Sequence, residues 1–457
     1  MRFSLEEITK VVDGQLINCT ECPTITGVSI DSRTVKQGDL FVPLKGVNFN
    51  GHDFIADAIG AGATASFWSN QVTPLNLAIP LIIVDEPITA MQKLAHHYRQ
   101  IVDPIVVGIT GSNGKTTTKD ILTAILAEQY RVHKTSGNLN NHIGVPLTIL
   151  SMPTDTEVLV VEMGMNHVGE IALLTQIAAP DHVILTNVGE SHIEFLGTEE
   201  RIAEAKLEIL QGLAEGSYAV LPGDQALVRK KITNYDLQNI IWVGRTKKND
   251  NYIAKISENQ QDELEFTDAK GEAYQIPLIG AHNAVNALMA IEAAKLLGVA
   301  VSRIKAGLTK VKLSAMRLEL IEVDEDSLIL NDAYNASPTS MRCSLELLAS
   351  LHGYKYKIAV LGDMLELGAA AEKYHYEIGR LVAELKIDYL IVIGNFSEEV
   401  IVGALNNRMS VRKIRKAKSI EEIVDLLQKK KWSNRAVLIK GSRGNRLERV
   451  VELLLQK

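Results

Sequence analysis

Ile105-Val106-Val107-Gly108-Ile109-Thr110-Gly111-Ser112-Asn113-Gly114-Lys115-Thr116-Thr117-Thr118 starts as an apolar run, breaks into glycines and closes on Gly-Lys-Thr. It reads as a buried strand, a phosphate loop and the first turn of a helix. Glycines let backbone N–H groups turn inward around an anion, and the helix N-terminus adds the positive end of its dipole. Lys115 would reach the β- and γ-phosphates of a nucleotide, and Thr116 would offer its hydroxyl to the magnesium that accompanies ATP. Ile121, Leu122, Ile125 and Leu126 recur on one helical face behind the loop. Ile109 stands where the common form of this loop has glycine, yet the strand before and the helix after provide the context that a short motif requires.

Outward from the loop, apolar β-rich runs alternate with helical stretches: Glu157 to Glu162, His182 to Asn187 and Ser217 to Leu221. This alternation predicts a parallel, doubly wound sheet whose ligands lie beyond the carboxyl ends of its strands. The polar residues at those ends are therefore informative. Glu162 ends an apolar strand, where an unpaired charge is costly and magnesium ligation is one compensation. Asn187 and His192 follow the next strand, and His192 alone reads equally as a loop histidine. Lys206, on an amphipathic helix, reads by itself as a surface lysine. The polar span from Asp224 to Gln275 reads as an exposed insertion. Asn283 and Asn286 open an alanine-rich helix, where an asparagine either caps the helix or reads an adenine edge.

A chain of 457 residues implies about three domains. Before the loop, two short β-like runs and a helix predict a small mixed α/β domain. Its Asp31-Ser32-Arg33 segment is either a solvated turn or a holder of phosphate or sugar. After Ser314 to Arg317, four further strand-like runs predict a second doubly wound sheet, without the glycine fingerprint of a dinucleotide site. With 46% hydrophobic and 23% charged residues and a net charge of −7, the composition is that of a soluble globular protein and argues against nucleic acid as the main partner. Acids at the N-terminus and the lack of any long apolar run predict a cytoplasmic protein with no membrane span. Cys19 and Cys22 form a lone C-x-x-C and read as two incidental thiols.

Gly111-Ser112-Asn113-Gly114-Lys115-Thr116-Thr117, Glu162, the Asn187 to His192 segment, Lys206, His282-Asn283-Ala284-Val285-Asn286, Arg317 and Asp332 occur in one order along the chain. In that order they resemble the Mur ligases, ATP-dependent amide-forming enzymes of peptidoglycan precursor synthesis. The resemblance covers nearly the whole chain. Asn138-Leu139-Asn140-Asn141-His142, Asn331 to Pro338 and Leu361 to Gly368 are most similar to the branch that adds D-alanyl-D-alanine to UDP-N-acetylmuramoyl-tripeptide. The Asp-Asn-Pro-Arg-type motif of the branch that adds the third residue is absent. Ser337 replaces the usual asparagine, and Leu221-Pro222-Gly223-Asp224-Gln225 departs from the family pattern, so Asp224 receives no role.

The resemblance implies three α/β domains: residues 1–100 binding the UDP-sugar, a P-loop ATPase-like central domain at 101–314, and a Rossmann-like domain at 315–457. It implies ATP binding by Thr110, Gly111, Ser112, Asn113, Gly114, Lys115, Thr116, Thr117, Asn283, Asn286, Arg317 and Asp332. Lys115, Lys206, His192 and Glu162 would be catalytic. Magnesium would be held by Thr116, Glu162, His192 and Lys206, the last as a carbamate. Asp31, Ser32 and Arg33 would contact the UDP-sugar, and Asn138, Asn141, Asn335 and Ser337 the dipeptide. A monomer acting on small molecules is the expectation. Two other readings differ in substrate or class: a ligase of the same fold that extends folate or a polymer, and a nucleotide sensor. The second fits poorly with Glu162, His192 and Lys206 placed in order behind a phosphate loop.

Overall fold

The strand Ile105–Thr110 lies inside a seven-stranded parallel sheet, in the order Asn251–Tyr252, Ile240–Gly244, Tyr218–Pro222, His182–Leu185, Ile105–Thr110, Val158–Glu162, Val132–Lys134. The computed structural model describes residues 1–19, 22–74, 77–258, 263–324, 327–429 and 433–456. Side chains alternate between the two faces of a strand. Accordingly Val106, Leu159, Val161, Val183 and Leu221 enter one core, and Val107, Ile109, Val160, Ile184 and Val220 the other. The register pairs Glu162 with Ile109 and Leu185 with Thr110, so three strands end together at the glycine loop.

The span 224–275, expected as an exposed insertion, is a working part of this domain; within it, 259–262 lie outside the described residues. It supplies the strands Ile240–Gly244 and Asn251–Tyr252, then a three-stranded antiparallel sheet of Lys255–Glu258, Leu264–Thr267 and Ala273–Ile276. Leu264, Phe266, Tyr274 and Ile276 alternate with polar residues and are buried in the core beneath the helix His282–Leu296. The polar outer positions hide this alternation in a compositional reading.

The first domain is a mixed five-stranded sheet ordered Gln15–Ile17, Leu81–Val84, Ala65–Ser69, Asp39–Phe41, Gly27–Ser29. Its first pairing is antiparallel and the others are parallel. Cys19 and Cys22, expected as independent thiols, are joined in a disulfide, their Cα atoms 5.6 Å apart; that separation lies within the range such a bond spans. The helix Pro87–Val102 then fastens this domain to the central one. Leu94, Ala95 and Tyr98 share an apolar core with Ile149, Leu150 and Ile177, and Tyr98 Oη donates to the Met152 carbonyl at 2.7 Å. The buried Arg99 donates to the carbonyls of Ala178 and Ala179 and to Asp181.

The third domain is a six-stranded sheet ordered Glu319–Asp324, Ser327–Asp332, Arg435–Lys440, Tyr356–Leu361, Tyr389–Val392, Ile414–Lys416, parallel except for the first pairing. Both edge strands carry several charges, Glu319, Glu322 and Asp324 on one and Arg415 and Lys416 on the other, which is why only the four inner runs are legible as strands. Among the described residues no helix is long and apolar enough to cross a membrane.

Phe266→Ala is expected to destabilise the central domain by about 3–5 kcal/mol, the cost of deleting a buried phenyl ring. Urea denaturation checks this; a change within about 0.5 kcal/mol, as for an exposed residue, would restore the reading of an insertion.

Candidate active site

The glycine loop bends because Gly114 adopts φ +79, a left-handed conformation open to glycine, and a Cβ there would stand 2.7 Å from Asn286 Oδ1. The helix Lys115–Leu126 starts immediately after it. A second loop braces the first. Ser112 N donates to the Asn187 carbonyl and Asn113 N to Asn187 Oδ1, both at 2.9 Å, while Ser112 Oγ accepts from Gly189 N at 2.9 Å. Thr110 is buried behind the loop and donates to the Met163 carbonyl. Lys115 Nζ donates to the Gly111 carbonyl at 2.7 Å. Burial lowers its pKa, Glu162 opposing and nearby Arg317 adding to the shift.

The loop opens into a cavity of about 1100 Å³. Its walls bring together Ser112 to Thr117, Asn141, Glu162, His192, Asn283, Asn286, Arg317, Asp332 and Asn335. Glu162, only 1% exposed, accepts from Thr116 Oγ1 and Asn140 Nδ2, each at 2.8 Å, with Lys119 Nζ 3.8 Å away. The carboxylate at the strand end is thus compensated by protein groups. Its adjacency to the Thr116 hydroxyl also fits magnesium, which takes one or two protein oxygens and completes its shell with phosphates and water. Among the described residues, no three His, Cys, Asp or Glu side chains converge as a metal cluster.

His192, in a left-handed conformation (φ +67), has its buried Nδ1 2.6 Å from Glu366 Oε2 of the third domain, a close ion-pair contact that lacks the angles of a hydrogen bond. Lys206 is 1% exposed, contrary to its reading as a surface lysine. Burial, reinforced by Lys115, holds its pKa well below that of an ordinary lysine, and among the described residues no carboxylate lies within 4.0 Å of it. Asn283 is not the helix cap: Ala281 occupies the N-cap, and Asn283 donates to the Ile279 carbonyl and accepts from Asn286. The Arg317 guanidinium stacks 4.1 Å from the Tyr334 ring, and Asp332 is bonded by Lys440 and Ser344.

Other expected residues fall elsewhere. Asn138 is exposed and is not on the cavity wall, whereas Asn141 is on it, with Oδ1 accepting from Ile143 N and Gly144 N. Ser337 caps the helix Pro338–Ser350 and donates to Asn113 Oδ1 at 3.1 Å. Asp31, Ser32 and Arg33 are remote from the cavity wall; Arg33, 85% exposed, pairs with Asp31 and holds that carboxyl down at about 2.

Models of the Mur ligase family match in chain order: the Mur ligase family catalytic domain at residues 24–99, the middle domain at 109–294 and the glutamate ligase domain at 316–443. The UDP-N-acetylmuramoyl-tripeptide--D-alanyl-D-alanine ligase of Bacillus subtilis is 41% identical over 100% of this chain and 99% of its own length. The chain belongs to the Mur ligase family. Among solved structures, MurF from Acinetobacter baumannii superposes with a TM-score of 0.89 at 29% identity, covering 100% of this chain and 99% of that one. MurF ligase from Thermotoga maritima in complex with ADP gives 0.83 at 32% identity, over 94% and 97%.

Two site residues escape a reading by sequence order. Asn140 lies inside a quoted motif, but only the fold turns it toward Glu162. Lys119, one helical turn after Lys115, resembles a surface lysine until the sheet covers it. It is fully buried, donates to the Thr135 carbonyl at 3.0 Å and lies 3.6 Å from buried Asp120. Asp120 in turn accepts from Lys134 and from Ser314 N and Oγ at the entry to the third domain. This Mur ligase therefore ties its phosphate-loop helix to its hinge.

Lys119→Met is expected to cost about 3–5 kcal/mol, because it strands buried carboxylates without their cation; chemical denaturation measures this. Gly114→Ala should weaken ADP binding at least about tenfold, a loss of about 1.4 kcal/mol by calorimetry, while a folded spectrum is retained.

Proposed function

We propose that this Mur ligase joins D-alanyl-D-alanine to UDP-N-acetylmuramoyl-tripeptide at the expense of ATP, giving the pentapeptide, ADP and phosphate. The observation that carries the proposal is the meeting, in one cavity, of a phosphate loop, the Thr116–Glu162 pair and loops of the third domain. The printed name of the Bacillus subtilis relative and the ADP in the Thermotoga maritima structure agree with it.

A carboxylate is a poor electrophile until its oxygen becomes a leaving group. The terminal carboxylate of the tripeptide attacks the γ-phosphorus of ATP, releasing ADP and forming an acyl phosphate. The dipeptide amine then adds to the acyl carbon, and the tetrahedral intermediate expels phosphate. Lys115 neutralises the transferring phosphoryl group, and the amides of Gly114 to Thr116 at the helix N-terminus surround the phosphates, those of Ser112 and Asn113 being held by Asn187. Thr116, Glu162 and His192, with Lys206 as a carbamate, would hold magnesium, which would supply further charge neutralisation when bound. Asn283 and Asn286 border the adenine, Arg317 and Asp332 meet the nucleotide from the hinge and third domain, and Asn141, Asn335 and Ser337 with Asn138 border the dipeptide. The first domain, at 1–100, binds the UDP-sugar through Asp31, Ser32 and Arg33. The contacts Ser337–Asn113 and Thr339–Glu190 hold the third domain, from 315 onward, against the central one at 101–314 and keep water from the acyl phosphate. The reaction belongs in the cytoplasm, where ATP and nucleotide sugars are available.

Lys206 becomes a carbamate in this reading. Burial beside Lys115 favours its neutral amine. That amine's lone pair attacks carbon dioxide, an N–C bond forms, one proton leaves, and the product is an anion that offsets Lys115 and adds a metal ligand.

Phosphate release with ATP, magnesium and the UDP-muramoyl tripeptide should depend on D-alanyl-D-alanine; turnover indifferent to the dipeptide rejects the assignment. Lys206→Ala should lose at least about 99% of the activity, equivalent to about 2.7 kcal/mol in the barrier, and regain part of it with a small carboxylate. A fully active Ala variant without additive rejects the carbamate.

A further inference from the structure

Outside the roles already assigned, one carboxylate of the third domain lines a small cavity beside the site, shared with His192, in a strained and heavily braced loop. Glu366 has φ +64, and its partner His192 has φ +67. Left-handed backbone at non-glycine residues is uncommon and persists where surroundings over-determine it. Three side chains supply that constraint around Glu366. Asp363 N donates to Asn445 Oδ1 at 3.0 Å, Met364 N to His375 Nε2 at 2.9 Å and Leu365 N to Ser442 Oγ at 2.9 Å. His375 is itself buried, with Nδ1 2.7 Å from the Ala371 carbonyl and its ring stacked on Phe396. On the other side, Glu194 N donates to the Glu366 carbonyl at 3.1 Å, which locks the two loops together.

The result is a carboxylate oxygen 2.6 Å from His192 Nδ1. A carboxylate on one ring nitrogen fixes the orientation and tautomer of an imidazole and raises the basicity of the other nitrogen. His192 lines the cavity, so Nε2 is the nitrogen left for it. Because Glu366 comes from the third domain, the imidazole is oriented only when that domain is docked.

We propose that Glu366 is a positioning residue that fixes the His192 imidazole for the reaction and makes its orientation conditional on docking of the third domain. The proposal rests on the reading of His192 as a group beside the metal. Glu366 lies at the rim of the docked interface, so its replacement leaves the cores of both domains intact.

The test compares the full-length chain with Glu366→Gln, Glu366→Asp and Thr339→Val, the last removing a different bond across the same interface, Thr339 Oγ1 to Glu190 Oε2 at 2.7 Å. Mn²⁺ binding to the ADP complex is titrated by electron paramagnetic resonance, independently of turnover, and kcat and KM are measured alongside. Glu366→Gln is expected to weaken Mn²⁺ binding and lower kcat by about 10–100-fold, as loss of a partner behind a ligating histidine does, with KM for ATP almost unchanged. Glu366→Asp should recover part of both, and Thr339→Val, which loosens docking but leaves Glu366 in place, should lose less Mn²⁺ affinity than Glu366→Gln. Wild-type Mn²⁺ affinity in Glu366→Gln, or an equal loss in Thr339→Val, overturns the proposal. If the unaltered chain shows no dipeptide-dependent phosphate release, the assigned reaction falls, and the Mn²⁺ titrations still decide the role of Glu366.

Discussion

A single buried carboxylate organises this molecule. Glu162 ends a strand whose other side chains are all apolar, and its charge is tolerable only because Thr116, Asn140 and Lys119 converge on it. Each partner comes from a different constraint. Thr116 is delivered by the glycine loop, Asn140 by the segment after Val132–Lys134, and Lys119 by the next turn of the loop's helix. Lys119 also faces Asp120, and Asp120 holds Ser314. The same electrostatic compensation that stabilises the strand end therefore reaches the start of the third domain.

The part of this that is legible from residue order is the part dictated by short-range rules. The loop from Gly111 to Thr116, the strand before it and the helix behind it follow from local sterics and periodicity, and the apolar runs of both large sheets follow from burial on two faces. The three-domain α/β architecture was readable on that basis together with the family resemblance. What was not readable depends on distant partners. Phe266 and Tyr274 read as part of a polar insertion because every second residue faces water. Lys119 and Lys206 have the local surroundings of surface lysines, and only the closing of the sheet buries them. Glu366 belongs to a motif that marks the family branch, yet its contact with His192 spans two domains.

The glycine loop itself gained a more specific description. Ile109 in place of a glycine is no defect in the motif: it is a fully buried strand residue, in register with Glu162, and the turn begins only at Gly111. The loop's rigidity comes from a neighbouring segment, since Asn187, Gly189 and Thr186 bond its backbone and side chains.

The two domain junctions differ in kind. The first and central domains share a continuous apolar core around Leu94, Tyr98 and Ile149. The third meets the central domain mainly through polar pairs at Asn113, Glu190 and His192, with a smaller apolar contact of Ile279 and Ile193, and through a connection in which Met316 and Leu318 both have positive φ. Apolar contact is lost wholesale when surfaces part, whereas polar pairs exchange for water at little net cost. In mechanical terms the chain has the build of a vice: two domains fused through a shared core form one jaw, and the third, held largely by polar pairs, forms the other. The face between the jaws carries mostly hydrogen-bonding groups, whose exchange for water would expose only the small apolar contact of Ile279 and Ile193.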